Sequence, residues 1–133
     1  MSAVTLEICV DGADGLIAAV AGGADRIELC SALALGGLTP SPGLMTLAAR
    51  APVPVYAMIR PRAGDFVFSP AEIDQMRREI DAVREAGLAG VVLGARVPIT
   101  LTSRADSVHS RLASAAVAAL IAHRRREKAV TGA

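Results

Sequence analysis

The chain has few aromatic residues. Its 133 residues include one tyrosine, two phenylalanines and no tryptophan. Apolar residues nevertheless make up 53% of the sequence, so the core must pack mainly through the small aliphatic side chains of Ala, Leu, Val and Ile. The length is that of one domain with a real hydrophobic core.

Long apolar runs, excess charge and a disulfide framework are also lacking. The longest apolar run, residues 115–122, is far shorter than the roughly 20 residues of a membrane span, so we expect no membrane segment. A net charge of +1 argues against a general nucleic-acid binder. Two cysteines 21 residues apart, with no secretory leader, predict reduced thiols in a cytoplasmic protein.

The charge is unevenly distributed along the chain. Residues 1–95 contain 7 basic and 11 acidic residues, a net charge of −4, whereas residues 96–133 contain 7 basic and 2 acidic residues, a net charge of +5. This difference predicts two segments with separate origins or roles.

The first segment predicts alternating strands and helices joined by tight loops. The predicted strands are 6–10, 26–30, a third beginning at 55, and 90–94; the predicted helices are 14–21, 42–50 and 70–86. Asp11 or Asp14 is the expected N-cap of the first helix, and Ser69 with Glu72 forms a capping box for the third. Strands joined through helices in this way must be parallel, which predicts an α/β fold.

Side chains alternate between the two faces of each predicted strand. One face is apolar, as in Ile8 and Val10, or Ile27 and Leu29. The other face carries carboxylates, thiols and arginines: Glu7, Cys9, Glu28, Cys30, Arg60 and Arg62. A curved parallel sheet with helices on its apolar side would bring these polar groups together on its inner side.

The second segment predicts a short strand over 97–101 and a largely apolar helix over 106–127. Ser103 and Arg104 lie just before that helix. They would hold a phosphate at the helix N-terminus, or Ser103 would simply cap the helix with Asp106 three residues on; capping is the better supported interpretation.

Four motifs in residues 1 to about 95 strongly resemble the CutC family of copper homeostasis proteins. They are LEICVD at 6–11, GGADRIELCS at 22–31, GGLTPS at 36–41, and MIRPR at 58–62 followed by GDF at 64–66. The resemblance implies a TIM-type (β/α) barrel, of which this segment would form about four βα units. It also implies that Cys9 and Cys30 are the candidate Cu(I) ligands, and that Glu7, Glu28, Arg60 and Arg62 line the mouth.

The remainder, from about residue 88 to 122, resembles the C-terminal end of phosphate acyltransferases such as phosphate acetyltransferase. That resemblance implies that Ser103 and Arg104 would face an acyl phosphate. We therefore divide the chain into a CutC-like half barrel, 1–95, and an acyltransferase-like tail, 96–133, as in a fusion of two truncated genes. A complete barrel takes about 250 residues, so closure would need a homodimer.

Three functions are open at this point. The first is copper homeostasis through Cys9 and Cys30, although free cysteines are commonly buried as small apolar side chains. The second is an enzyme that uses Glu7, Glu28, Arg60 and Arg62 on a small anionic substrate, although these residues would also suit an internal ion-pair network. The third is an inactive fusion fragment.

Overall fold

The computed structural model of the chain describes residues 5–93. The predicted strand 97–101, the predicted helix 106–127 and the residues Ser103 and Arg104 lie outside the described residues.

Strands and helices alternate throughout the described residues. The elements are β1 (Glu7–Val10), α1 (Ala13–Ala21), β2 (Arg26–Leu29), α2 (Pro42–Ala48), β3 (Val55–Met58), α3 (Pro70–Ala86) and β4 (Gly90–Val92). A short 3₁₀ turn, Leu33–Leu35, lies in the loop between β2 and α2. Each element predicted in this region is present, with α2 and β4 each ending two residues earlier than predicted.

The helix starts confirm one prediction and correct another. At α3 the capping box is complete: the Ser69 hydroxyl accepts from the Glu72 amide at 3.2 Å, and the Glu72 carboxylate accepts from the Ser69 amide at 2.7 Å. At α1 the predicted aspartate cap is wrong, because Gly12 is the N-cap and makes no side-chain cap bond. The Asp11 carboxylate instead accepts from the Leu33 amide at 3.0 Å, in the next βα loop.

The four strands form one parallel sheet in the order β1-β2-β3-β4. Each helix therefore connects two neighbouring strands, and because such crossovers are almost always right-handed, α1, α2 and α3 lie on the same side of the sheet. This sequential order is typical of a (β/α) barrel, whereas in a doubly wound sheet the strand order reverses and helices cover both sides.

The helix-covered face of the sheet is the hydrophobic core. Aligned rows of aliphatic side chains cross it, as in the row Val10–Leu29–Ala57–Val91. Ile27 and Leu29 are fully buried there, and helix residues such as Met45 pack into the same cluster. Burying a side chain of this size contributes about 1.5–3 kcal/mol, so this face supplies most of the stability of the unit.

Candidate functional site

The opposite face of the sheet carries a row of functional side chains. Strand register aligns Cys9, Glu28, Tyr56 and Gly90 across all four strands. The Tyr56 ring lies over Gly90, since a Cβ atom built at Gly90 would be only 3.0 Å from that ring. The predicted polar inner face is therefore present, and Glu28 lies on the strand between Cys9 and Tyr56.

Glu28 is the buried acid of this row. Its side chain is 2% exposed, and the Cys9 thiol donates to its Oε2 at 3.0 Å. Burial of a carboxylate is costly unless it is hydrogen-bonded, so the thiol stabilises Glu28.

Cys30 lies two residues beyond Glu28 on the same face and is 1% exposed. Its amide continues the strand ladder by donating to the Val10 carbonyl at 2.8 Å. The thiol packs on Gly37, whose φ is +86°; a Cβ atom there would be 3.2 Å from the Cys30 Sγ. Both the backbone conformation and this contact favour glycine at position 37.

Both thiols are strongly disfavoured as thiolates in the protein without metal. Burial is the main cause of the raised pKa of Cys9, and the hydrogen bond and negative charge of Glu28 add to it. Burial likewise raises the pKa of Cys30 from its ordinary value of 9.0 to about 12, with further contributions from the carboxylates of Glu28, Asp11 and Glu7. The two cysteines are therefore neutral at pH 7 until something replaces their protons.

Glu7 does not join this cluster as a free acid. It is aligned with Arg26 on β2, and the two side chains form an ion pair. Arg26 also lies 5.1 Å from the centre of the Tyr56 ring. Glu7 therefore lies on the same face as Cys9, and its carboxylate is paired with Arg26, a partner that the sequence did not identify.

Arg62 is also held by contacts with neighbouring residues of the chain. It pairs with Glu72 at the start of α3 and with Asp65 at 3.0 Å, and it donates to the Val67 carbonyl at 2.7 Å. Its hydrogen bond to Glu72 raises the pKa of Arg62, and Arg62 in turn lowers the pKa of Asp65. The pKa of Glu72 is lowered chiefly by the Ser69 amide and then by Arg62. Arg62 thus fixes the β3–α3 loop.

Arg60 differs from Arg62 because it has no carboxylate partner among residues 5–93. Its Nη2 donates to the Gly64 carbonyl at 2.9 Å, and its Nη1 makes longer bonds to the carbonyls of Leu35 and Gly37. Its Nε is buried and has no acceptor in the described part of the chain. A buried donor without a partner costs about 1–3 kcal/mol, which distinguishes this N–H from the other donors of the site.

Thr39 positions Arg60 and was not singled out as a site residue from the sequence. Its hydroxyl accepts from the Arg60 amide at 2.9 Å and donates to the Glu79 carboxylate at 2.7 Å. Its amide donates to the Arg60 carbonyl at 3.0 Å. The only sequence signal was its place in the GGLTPS motif, which indicates a loop and names no partner.

The described residues do not contain a ready-made multidentate metal site. Residues 5–93 include no group of three or more His, Cys, Asp or Glu side chains that could hold a metal ion. A site here would rest on the two thiols alone, which is a donor set suited to soft Cu(I) rather than to harder cations. In the same part of the chain, no helix has the length and apolar character needed to cross a membrane.

Comparisons with known proteins agree on one family. A sequence model described as the CutC family matches residues 4–125. A CutC family protein of Rhizobium meliloti (strain 1021) is 75% identical over 95 residues, which are 71% of this chain and 39% of that protein. One from Sinorhizobium medicae (strain WSM419) is 69% identical over 106 residues, 80% of this chain and 40% of that protein. The chain thus spans about two fifths of the length of these relatives.

A solved structure agrees on the fold. The crystal structure of a Streptococcus agalactiae protein, described as a candidate copper homeostasis protein CutC, superposes with a TM-score of 0.65 at 30% sequence identity. The superposition covers 87% of this chain and 55% of that one. The predicted fold class, an α/β partial TIM-type barrel, is confirmed.

The family match also bears on the tail. It runs to residue 125 and so covers most of the segment 96–133. It lends no support to the acyltransferase resemblance. That resemblance, the boundary at residue 95 and the roles of Ser103 and Arg104 stay predictions.

Proposed function

The chain belongs to the CutC family, and on that premise we propose that it serves copper homeostasis by binding Cu(I) between the thiolates of Cys9 and Cys30. The observation that carries the proposal is that Cys9 lies in β1 while Cys30 directly follows β2, the strand paired with β1, with its amide bonded to the Val10 carbonyl. Thiolates are ligands that Cu(I) selects, and rigid strands hold them at a constant spacing.

The charges of the site determine how its affinity for Cu(I) would depend on pH. One Cu(I) ion that replaces two thiol protons leaves a centre of net charge −1, beside the buried Glu28. Because both thiols have a raised pKa, metal binding must compete with protons, and the affinity for Cu(I) should increase with pH.

An anaerobic Cu(I) titration against a competing chelator tests this proposal. We expect one Cu(I) per chain, with binding lost in the Cys9→Ser/Cys30→Ser variant. Serine keeps a hydroxyl donor for Glu28, so this variant should retain the fold, and a thermal melt checks that it does. Stoichiometric Cu(I) binding that survives in a folded double variant would contradict the proposal.

A second candidate function is acid–base chemistry on a small anionic substrate, with Glu28 as the acid or base and Arg60 as the anion-binding group. It is favoured by the burial of Glu28 and by the absence of a carboxylate partner for Arg60 within residues 5–93. Glu7 and Arg62 leave this set because they are already paired. The cysteine double variant separates the two candidates, since it should lose Cu(I) and keep the anion.

Reduced thiols also favour the cytoplasm as the location of this protein. We further propose that two copies pair, because β1 and β4 are the outer strands of the sheet within residues 5–93, and an uncovered outer strand can pair with a second copy. Light scattering on the purified chain measures the mass of the particle, and a monomer at all concentrations would contradict pairing.

A further inference from the structure

Arg60 differs from two other arginines on the polar side of the sheet, Arg26 and Arg62, in the groups that surround its guanidinium. The guanidinium lies between two βα loops and touches main-chain carbonyls, and no described carboxylate neutralises it. Arg26 and Arg62, by contrast, each have a glutamate. A partly buried charge is normally paired, so this cation has the environment of a group that receives its counter-ion from outside the chain.

The loop geometry brings the backbone close to this cation. Gly36 has φ +86°, and a Cβ atom there would be 3.0 Å from the Arg60 Nη1. The next residue, Gly37, packs on the Cys30 thiol. The two glycines therefore let one turn of the chain lie against both the Arg60 guanidinium and the Cys30 thiol.

Phe66 covers the guanidinium. The ring centre lies 4.6 Å from the Arg60 Cζ, although the Phe66 side chain as a whole is 66% exposed. The ring is held by this cation–π contact and by the Phe68 ring, whose centre is 6.5 Å away. Displacing it breaks only these two contacts.

We propose that Arg60 binds a small oxyanion, a carboxylate or a phosphate, through its unpaired Nε–H, and that the Phe66 ring moves off the guanidinium when the anion binds. Arginine recognises both anions through charge-assisted hydrogen bonds, which are stronger than those to neutral carbonyls. This inference rests on the second candidate function. It specifies the class of ligand and the side chain that acts as a gate, Phe66. It holds whichever group carries out the chemistry.

Titration of the full chain with inorganic phosphate, and separately with acetate, tests the assignment. The readout is the NMR signal of the Arg60 Nε–H. We expect it to shift with one or both anions, and the anion that shifts it identifies the source. Arg60→Lys should weaken binding about tenfold, the effect of losing one charge-assisted bond. Arg78→Lys, on the exposed side of α3, is the control and should leave binding unchanged. An Arg60 Nε–H signal that neither anion moves would overturn the proposal, even if the Arg60→Lys variant fails to fold.

The gate has its own matched pair of variants. Phe66→Ala should tighten anion binding between about two- and fivefold, because the anion no longer has to break a cation–π contact in order to bind. Val67→Ala shortens the exposed side chain next to Phe66 and should have no effect. Equal changes in the two variants would refute the gate. In the Glu28→Gln variant, anion binding should persist; its loss there would instead count against Arg60 as an independent binding group.

Discussion

The two faces of the sheet are built from the same strands and follow different rules. On the helix side, aliphatic side chains such as Leu29 and Ala57 are fully buried and need no specific partner. On the other side, polar groups depend on particular neighbours, as Glu28 depends on Cys9 and Glu7 on Arg26. The apolar face therefore provides stability, and the polar face provides chemistry whose outcome depends on individual pairings.

The largest expected effect is the loss of stability caused by a substitution on the apolar face. Leu29→Ala should lower the free energy of unfolding by about 2–5 kcal/mol, because it leaves a cavity in the middle of the core. Chemical denaturation measures this change. The matched variant on the polar face is Cys9→Ser, which keeps a donor for Glu28. If Cys9→Ser destabilised the chain as much as Leu29→Ala, the distinction between the faces would fail.

An intermediate effect concerns the thiols and pH. The pKa of Cys30 is raised by burial from 9.0 to about 12, so the folded protein keeps this proton where the unfolded chain releases it. That contribution to stability is fully present below about pH 9 and is lost as the pH rises toward 12. We expect the free energy of unfolding to decrease over this interval.

The Cys9→Ser/Cys30→Ser variant is the control for that measurement, because it retains Tyr56 and the arginines. Its stability should change less steeply with alkaline pH than that of the natural chain. Parallel profiles for the two proteins would show that the cysteines do not contribute.

The smallest expected effect concerns the Glu7–Arg26 pair. Glu7→Gln should cost less than about 1 kcal/mol in thermal or chemical unfolding, because Arg26 is partly exposed to solvent that screens the interaction. Asp74→Asn breaks a more exposed pair on α3, with Arg78, and should cost less still. A loss of several kcal/mol from Glu7→Gln would mean that the polar face also carries the fold.

The sequence predicted the order of elements well because the signals are local. The capping box at Ser69 and the glycine after α3 act within a few residues of where they stand. Alternation along a strand likewise predicts which side chains share a face. The N-cap of α1 was predicted wrongly because Asp11 has a second, competing partner in the Leu33 amide, which is distant in the sequence.

The candidate site was only partly predictable. The sequence led to Cys9, Cys30, Glu28 and Arg60 as inner-face residues, partly through a family resemblance. It also grouped Glu7 and Arg62 with them as equals. The structure pairs those two with Arg26 and with Glu72, and it identifies Thr39 and Phe66 as the groups in contact with Arg60.

By itself, the sequence determined the alternation of strands and helices, the apolar and polar faces, and the placement of both cysteines on the polar one. These follow from side-chain periodicity and from local hydrogen bonds, which act within one element. Only the tertiary structure decided that Glu7 and Glu72 are paired with arginines, and that Arg60 on the polar face has no carboxylate partner within residues 5–93. Those pairings depend on strand register and on the meeting of two loops, where an offset of one residue gives every side chain a different neighbour.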